Sequence, residues 1–345
     1  MSNHRFPYEW STQNYPKETV GTVFSTFSCG GGSTMGYKLA GFDVLGCLEI
    51  DDELVSVYRT NHNPTLCYNE DIRDFRRRDD LPDELYDLDI LDGSPPCSTF
   101  STAGNREKDW NREKKFKEGQ ATQRLDDLFG EFIELAARLQ PKVVVSENVT
   151  GMIKGHAKGY VKEIARGFDE AGYTLQVFVL NAATMGVPQK RRRVFPIARR
   201  KDLEWSDLSL SFNETPIKYG EIREKGANGY KEMTAHEKRL WDERLPSERT
   251  AAQENERVRG VVSGFTWIFE DDHRVCSPII AGPDSICGEE RRLLSVNEMM
   301  LASSFPTDYN FGSLDPRYVM GMSVPPVMMA QIATEIKRQW LADNS

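Results

Sequence analysis

The sequence has 345 residues, 39% of them hydrophobic and 28% charged, with a formal net charge of −9. This composition excludes a disordered chain, and the length suits one large domain or two smaller ones. The negative net charge on its own argues against a polyanionic partner. Residues 101–200, however, hold 19 basic and 12 acidic groups, so one positive segment remains that can face a polyanion.

Cysteine usage and hydropathy predict a cytoplasmic protein. No apolar run approaches the roughly 20 residues that a membrane-spanning helix needs, so we expect no membrane partner. The N-terminal residues lack the apolar core of a secretory signal. The six cysteines form no CxxC pair, which fits a reducing compartment. The five histidines have no ligand spacing, and we predict no metal site.

The first two hundred residues alternate strand and helix patterns. Strands are predicted at Val20–Phe27, Asp43–Ile50, Leu66–Tyr68, Leu88–Leu91, Val143–Val145, Leu175–Leu180 and Val194–Ala198. Helices are predicted at Thr34–Ala40, Glu53–Asn61, Leu125–Leu139 and Tyr160–Ala171. This alternation predicts an α/β fold, in which a mostly parallel seven-stranded sheet carries helices on both faces.

The alternation of strand and helix patterns ends after residue 199, where the chain becomes polar and its apolar segments become short. We predict a catalytic and cofactor-binding domain at residues 1–199 and a small, irregular domain at 200–305. A helix at Pro326–Leu341 begins with proline, which is tolerated there. Residues 306–345 are therefore predicted to pack back on the first domain.

A glycine-rich turn and two carboxylates follow the first three strands. The turn runs from Phe27 through Ser28, Cys29, Gly30 and Gly31 to Gly32. Its glycines let a ligand approach the backbone, and carboxylates such as Glu49 and Asp71 at strand ends accept hydrogen bonds from a nucleoside. A flexible turn with two solvated carboxylates is the alternative. The pattern is not GxGxxG, which disfavours a dinucleotide.

Three further motifs follow later strands. Pro95 and Pro96 precede Cys97, a candidate nucleophile if its pKa is lowered, or else an inert buried thiol. Glu147 follows the fifth strand in a Glu147-Asn148-Val149 motif and suits acid chemistry or a hydrogen bond to substrate; a solvated Glu beside a helix-capping Asn is the alternative. Residues 189–193, Gln-Lys-Arg-Arg-Arg, suit phosphate and base contacts, or else form a solvated surface.

In this order, the motifs resemble those of the DNA (cytosine-5) methyltransferases. Residues 291–298 followed by Phe305 and Pro306 resemble a ninth motif of that family, and Gly321–Pro325 resembles the tenth. The resemblance implies a class I methyltransferase (Rossmann-like) fold that binds S-adenosyl-L-methionine. It identifies residues 200–290 as the target-recognition region.

The resemblance also implies roles for single residues. Cys97 would be the nucleophile that adds to cytosine C6, Glu147 would bind the N3 and amino edge, and Arg193 would contact O2 and hold Glu147. Arg191 belongs to the same catalytic cluster. The implied cofactor-binding residues are Phe27, Ser28, Cys29, Gly30, Gly31, Gly32, Glu49, Ile50, Asp71, Ile72, Pro95, Ser323 and Val324.

Double-stranded DNA is the implied partner, and its target base must flip out of the stack to reach Cys97. Residues 98–125 would form the loop that closes over it, although an ordinary solvated loop is the alternative. The predicted DNA-binding residues are Arg106, Lys108, Arg112, Lys114, Lys115, Lys117, Gln189 and Arg192. We expect a monomeric prokaryotic or phage modification enzyme that acts at a short sequence, with a cognate restriction endonuclease acting separately.

Three positions depart from the family pattern: Cys29 stands where glycine is usual, Met322 where asparagine is usual, and Ser98 where glutamine is common. Rival interpretations are methylation of tRNA, a catalytically silent protein that holds cofactor and DNA, and a nicotinamide oxidoreductase. The 200–290 region favours DNA over tRNA. Intact Cys97, Glu147 and Arg193 disfavour the silent protein, and the glycine turn with Pro-Pro-Cys disfavours the oxidoreductase.

The basic loop generates a first prediction. Neutralising Lys114, Lys115 and Lys117 is expected to weaken binding to all DNA sequences, because a protein that neutralises fewer phosphates releases fewer counterions on binding. The slope of log affinity against log salt should shrink by roughly 0.9 for each phosphate that is no longer neutralised. Binding titrations at several salt concentrations measure it, and an unchanged slope would show that the loop does not touch phosphate.

Overall fold

The computed structural model of the protein describes residues 4–17, 19–96, 128–153, 158–261, 266–281 and 284–342. The chain divides into two compact units. The sheet unit comprises Tyr15–Leu180, Arg192–Ser211 and Met329–Ser345. The small unit comprises Met1–Asn14, Asn181–Arg191 and Phe212–Met328. The predicted domain bounds after residues 199 and 305 stay a prediction.

The part of the sheet unit that the structure describes contains eight strands. They are β1 Thr22–Thr26, β2 Asp43–Leu48, β3 Leu66–Tyr68, β4 Ile90–Gly93, β5 Val143–Ser146, β6 Asn148–Val149, β7 Tyr173–Asn181 and β8 Arg192–Arg200. The order is β3-β2-β1-β4-β5-β8, and β6 and β7 also pair with β8. Strands β1 to β5 are parallel, whereas β8 runs antiparallel to β5 and β6. The predicted mostly parallel α/β sheet is confirmed.

Among the described residues of the sheet unit, one strand was not predicted. Asn148–Val149 forms the two-residue strand β6 against Val194 and Arg193 of β8. The predicted number of seven strands is one too few for this sheet. The sequence did not reveal β6 because two residues are too few to show an alternating period. Its consequence is local: the chain leaves the sheet after β5 for a single residue, Glu147, and rejoins it at once.

In the described ranges, five α-helices accompany these strands: α1 Gly32–Leu39, α2 Asp52–His62, α3 Ile72–Phe75, α4 Leu128–Leu139 and α5 Lys158–Glu170. Asp51 caps α2 by accepting hydrogen bonds from the N–H groups of Glu53 and Leu54. Helix α4 buries the apolar face that the sequence predicts, including Phe132, which packs in one core with Phe24 and residues of α3 and α5. The same core holds the sheet against these helices.

The small unit contains short elements. They are α6 Tyr219–Ile222, α7 Ala235–Glu243, α8 Ala251–Arg259, β9 Ile268–Glu270, β10 Ser285–Cys287, α9 Val296–Ala302, α10 Pro316–Met322 and α11 Pro326–Ile336, whose last residues belong to the sheet unit. Strands β9 and β10 are parallel. Thr234, Thr250 and Ser295 start their helices with capping boxes. The caps at Thr234 and Thr250 stabilise α7 and α8, which are too short and polar to show an apolar period.

The predicted C-terminal helix is present as α11, and it continues as a π-helical turn over Lys337–Leu341. Within the sheet unit, Trp340 donates from Nε1 to the carbonyl of Ser206 at 2.8 Å. Among the described helices, none is long and apolar enough to cross a membrane. Over the same described ranges, no group of three or more His, Cys, Asp and Glu side chains is placed to hold a metal ion.

The pairing of β2 with β3 generates a stability prediction. Gly46 lies opposite Leu66, and a Cβ at Gly46 would collide with the carbonyl oxygen of Leu66. Because that obstacle is backbone, Gly46→Ala is expected to destabilise the protein by about 1–3 kcal/mol in urea unfolding. Gly130→Ala in α4 is the control, since nothing lies within 4 Å of its Cβ position, and it should stabilise slightly. Equal stability of the two variants would contradict the prediction.

Candidate active site

The glycine turn joins β1 to α1 through left-handed backbone. Phe27, Cys29 and Gly31 have φ values of 51°, 49° and 81°. The N–H of Gly31 donates to the carbonyl of Ser28 at 2.8 Å, and Gly31 caps α1 without a side chain. The first N–H groups of a helix have no partner within it, so the turn presents backbone donors. The left-handed φ at Cys29 gives a backbone reason for the glycine usual at this position.

His62, at the end of α2, contacts the glycine turn. Its Nε2 lies 3.2 Å from the carbonyl oxygen of Gly30, and a Cβ on Gly31 would overlap the imidazole ring. Burial lowers the pKa of His62 to about 3, so the ring is neutral at pH 7 and its N–H tautomer can donate to Gly30. No sequence pattern indicates this contact, because the two residues meet only after folding.

Glu49 ties the turn to the ends of β2 and β3. Its carboxylate accepts hydrogen bonds from the N–H groups of Cys29 at 2.8 Å, Ile50 at 2.9 Å and Asp51 at 3.2 Å. Burial raises the pKa of Glu49, and these N–H groups oppose that rise. Asn69, just after β3, donates from Nδ2 to the carbonyls of Glu49 and Ile50. Three strand ends are thereby held side by side.

The remaining predicted cofactor residues of this edge differ in exposure. Asp71 caps α3, accepting from the N–H of Arg73 at 2.8 Å and pairing with its guanidinium at 2.9 Å. Ile72 is buried in the core, and the cofactor contact predicted for it stays a prediction. Ile50 and Phe27 are half-buried, which leaves apolar surface for an adenine ring or a methionine chain.

The segment that leads to Cys97 is fixed from two sides. Asp92 at the end of β4 accepts hydrogen bonds from Ser25 Oγ at 2.8 Å and Tyr37 Oη at 3.2 Å. Asn148 Nδ2 donates to the carbonyl of Pro95 at 3.1 Å. Cys97 itself lies outside the described residues, and so does the predicted loop. That loop contains Arg106, Lys108, Arg112, Lys114, Lys115 and Lys117.

Glu147 and Arg193 meet beside this segment. The N–H of Glu147 donates to the carbonyl of Gly93 at 3.2 Å, which sets Glu147 next to the end of β4. Arg193 Nε lies 2.8 Å from Glu147 Oε1, and the two side chains are 17% and 14% exposed. Both groups therefore stay accessible at one end while their geometry is fixed. Their catalytic roles stay predictions.

The other residues of the basic motif point elsewhere. Within the small unit, Arg191 donates to the carbonyls of Ile279 at 3.1 Å and Gly321 at 2.8 Å. Gln189 is buried and donates to the carbonyl of Ala302. Arg192 is exposed. The hydrogen bonds of Arg191 and Gln189 are structural, and the catalytic and DNA-binding roles predicted for them stay predictions.

The tenth-motif residues also lie in the small unit. Ser323 Oγ donates to the carbonyl of Val319 at 2.8 Å, and Val324 is buried. Met322, where the family usually has asparagine, is 51% exposed. The cofactor contacts predicted for Ser323 and Val324 stay predictions.

The family model described as C-5 cytosine-specific DNA methylase matches residues 21–338 of the chain. The protein belongs to this family. The predicted activity class, methyl transfer to C5 of cytosine in DNA, is thereby confirmed, and methyltransferases of this kind depend in general on S-adenosylmethionine.

Relatives of the methylase extend over nearly its full length. It is 29% identical to type II methyltransferase M.FnuDI of Fusobacterium nucleatum, over 93% of this chain and 95% of that protein. It is 28% identical to type II methyltransferase M.NgoMIV of Neisseria gonorrhoeae, over 91% and 96%.

Solved structures show the same fold. A DNA modification methyltransferase encoded within an Escherichia coli prophage superposes with a TM-score of 0.64 at 20% identity, over 92% of this chain and 99% of that one. A DNMT2 variant of Spodoptera frugiperda superposes with a TM-score of 0.60 at 18% identity, over the same shares. The predicted class I methyltransferase fold is confirmed.

Two further residues of the methylase's active-site edge gained a role only from the structure. Asn148 was visible in the Glu-Asn-Val motif, but its bond to Pro95 depends on how β4 and β6 lie. Asp92 was visible before Gly93, but its partners Ser25 and Tyr37 come from β1 and α1. In the sequence, both residues stand out only because they adjoin a motif. Their position next to a motif does not indicate which residue each of them contacts.

Asp92 generates a prediction on pH. Burial raises its pKa to about 7, against the hydrogen bonds from Ser25 and Tyr37, whereas an unfolded chain titrates near 3.9. Between pH ~4 and ~7 the folded protein holds a proton that the unfolded chain has released. The free energy of unfolding therefore falls as pH rises through this window, by at most about 1.4 kcal/mol per pH unit.

Asp92→Asn is expected to flatten this fall, so that its stability relative to the wild type is greater at pH 8 than at pH 5. Urea unfolding at pH 5, 6, 7 and 8 measures the difference. Asp79→Asn, at an exposed position, is the control and should keep the wild-type slope. The same slope in all three proteins would rule out Asp92 as the titrating group.

Proposed function

We propose that the methylase is a type II modification enzyme that methylates C5 of one cytosine within a short sequence of double-stranded DNA. It would act as a monomer in a prokaryotic cytoplasm, beside a restriction endonuclease that cuts the same unmethylated sequence independently. The type II methyltransferases to which the chain is similar over most of its length support this role. The observation that carries the chemistry is the Glu147–Arg193 ion pair beside the Pro-Pro segment.

The residues at the ends of β1, β2 and β3 fit S-adenosylmethionine. Glu49 Oε2 accepts one hydrogen bond, from Cys29, and a carboxylate oxygen can accept a second, here from a ribose hydroxyl. Ile50 offers a half-buried apolar side chain to adenine, and Asp71 would accept from the adenine amino group. The backbone of Gly30 to Gly32 would hold the methionine end at the start of α1.

The remaining predicted cofactor residues are Pro95, beside the reacting cysteine, and Ser323 and Val324 of the small unit. When bound, S-adenosylmethionine supplies an electrophilic methyl group on a positively charged sulfur. Carboxylates at the cofactor edge suit that charge. Cys29 and the exposed Met322 are the two positions where this chain's contacts would differ from the family pattern.

Cys97 makes cytosine reactive by covalent catalysis. Its thiolate adds to C6, a bond forms between sulfur and C6, and the electron pair moves to C5, which becomes nucleophilic. Once C5 carries the methyl group, loss of the C5 proton restores the double bond and releases Cys97. The two prolines before Cys97, held through Pro95 by Asn148, limit where the thiol can lie.

Glu147 and Arg193 hold the base during that addition. Arg193 occupies Glu147 Oε1 through its Nε, which leaves Oε2 to face N3 and the amino group of cytosine. A second guanidinium nitrogen of Arg193 donates to the carbonyl of Arg192 at 2.9 Å, and the third would contact O2. The ion pair is thus a preformed cradle for the polar edge of a flipped base.

Loss of the Glu147 carboxylate tests the cradle. Glu147→Gln is expected to slow methyl transfer by about 10²–10⁴-fold, the usual range for a group that moves or shares a proton in the transition state. Binding of S-adenosylmethionine, measured by calorimetry, should change little. Glu163→Gln, at an exposed position of α5, is the matched control with normal activity. A normal rate for Glu147→Gln would contradict the role of the cradle.

The methyl-transfer and cofactor-binding assays also test the role of Cys97. Cys97→Ala should abolish transfer to DNA while the cofactor still binds, and normal activity in that variant would overturn the covalent mechanism.

Expression in a host that lacks DNA methylation, followed by mapping of 5-methylcytosine, identifies the target sequence. A parallel assay on tRNA distinguishes the rival substrate, because transfer to tRNA without transfer to DNA would contradict the proposal.

A further inference from the structure

Two cysteines that the proposed mechanism does not use lie in contact between β2 and β3. Cys47 and Cys67 are directly opposite each other in the parallel register of the two strands. Their Sγ atoms are 3.2 Å apart. They are 20 residues apart in sequence and belong to no recognisable cysteine motif, so only strand pairing brings them together.

The two thiols differ in environment. Cys47 is buried, whereas Cys67 is half-buried. The hydrogen bond from Cys47 and the nearby Arg59 guanidinium lower the pKa of Cys67 to about 6. The hydrogen bond with Cys67 and burial raise the pKa of Cys47. A thiolate that solvent can reach therefore sits against a protected thiol, which is the arrangement of an attacking and a resolving cysteine.

We propose that Cys47 and Cys67 are a redox modification site, at which a peroxide converts the contacting thiols into a reversible disulfide. Neighbouring parallel strands lie about 4.8 Å apart, within the Cα separation that a disulfide spans. The sulfur atoms need to approach from 3.2 Å to about 2.05 Å. The site therefore requires a small shift of the strands and no opening of the sheet.

The chemistry balances with hydrogen peroxide as oxidant. The Cys67 thiolate attacks one peroxide oxygen, the O–O bond breaks, and Cys67 becomes a sulfenic acid as hydroxide leaves. The hydroxide takes up the proton that Cys67 had released to solvent, which gives the first water. The Cys47 sulfur then attacks the Cys67 sulfur, the S–O bond breaks, and a second water leaves with the Cys47 proton. Two thiols lose two electrons in total, and one peroxide is reduced to two waters.

The position of the pair links it to the cofactor edge, and this consequence rests on the proposed function. Cys47 lies two residues before Glu49, and Cys67 lies two residues before Asn69, which holds the carbonyls of Glu49 and Ile50. Drawing the strand ends together displaces Glu49 relative to the glycine turn. Because a hydrogen bond to a charged group is worth about one order of magnitude in affinity, weakening the proposed contact of Glu49 with the ribose is expected to lower the affinity for S-adenosylmethionine about tenfold.

The experiment uses the full chain carrying Cys97→Ala, since the proposed nucleophile is itself open to oxidation. The protein is treated with hydrogen peroxide, digested without reduction and mapped by mass spectrometry, and its affinity for S-adenosylmethionine is measured by calorimetry. We expect a peptide that joins Cys47 to Cys67 and a roughly tenfold loss of affinity. Dithiothreitol should remove the joined peptide and restore the affinity. A second substitution, Cys67→Ser, should remove the disulfide and the response to peroxide. Cys287→Ala in β10 should keep both.

Absence of the joined peptide from folded, peroxide-treated protein would overturn the site, whatever the variants do. A disulfide that forms without changing affinity would overturn the link to the cofactor. Failure of the untreated protein to bind S-adenosylmethionine would instead contradict the proposed function, because the peptide map still reports the disulfide on its own.

Discussion

Parallel hydrogen bonding of β1 to β2 on one side and to β4 on the other is the constraint on which the active site depends. Parallel strands deliver their carboxyl ends to one edge of a sheet, and here five of them do so. The glycine turn, Glu49, Asp71 and the Pro-Pro segment are all continuations of those strands. Each lies at the edge because the backbone ladder behind it leaves no other register.

Contacts between neighbouring loops then convert this edge into a site. Glu49 joins the glycine turn to β2, Asn69 joins β2 to β3, and Asn148 joins the Pro-Pro segment to β6. Each uses one polar side chain to satisfy backbone groups that strand ends leave without ladder partners. The one-residue break in strand pairing at Glu147 also connects neighbouring segments. Residues on both sides of Glu147 stay paired in the sheet, and its carboxylate contacts Arg193.

Much of this was predictable. Period and turn residues predicted the seven longer strands, and the motif order predicted the family and the place of Glu147 and Arg193. Helices α7 and α8 of the small unit, strand β6 and the contact of His62 with Gly30 were not predicted. Helix caps, two-residue strands and buried pairs of side chains leave no periodic pattern in the sequence. Likewise, the Gln189 and Arg191 side chains are oriented by hydrogen bonds to carbonyls that lie more than 80 residues away in sequence.

The sequence by itself determined which chemical groups are available: a Pro-Pro-Cys thiol, a Glu-Asn-Val carboxylate, a glycine turn and a basic middle third within an acidic chain. Those features depend on residue type and local order, which are written in one dimension. Only the tertiary structure decided which groups meet: Glu147 with Arg193, Asn148 with Pro95, and Cys47 with Cys67. Such pairs are set by strand register, and register follows from burial and hydrogen bonding across the whole sheet.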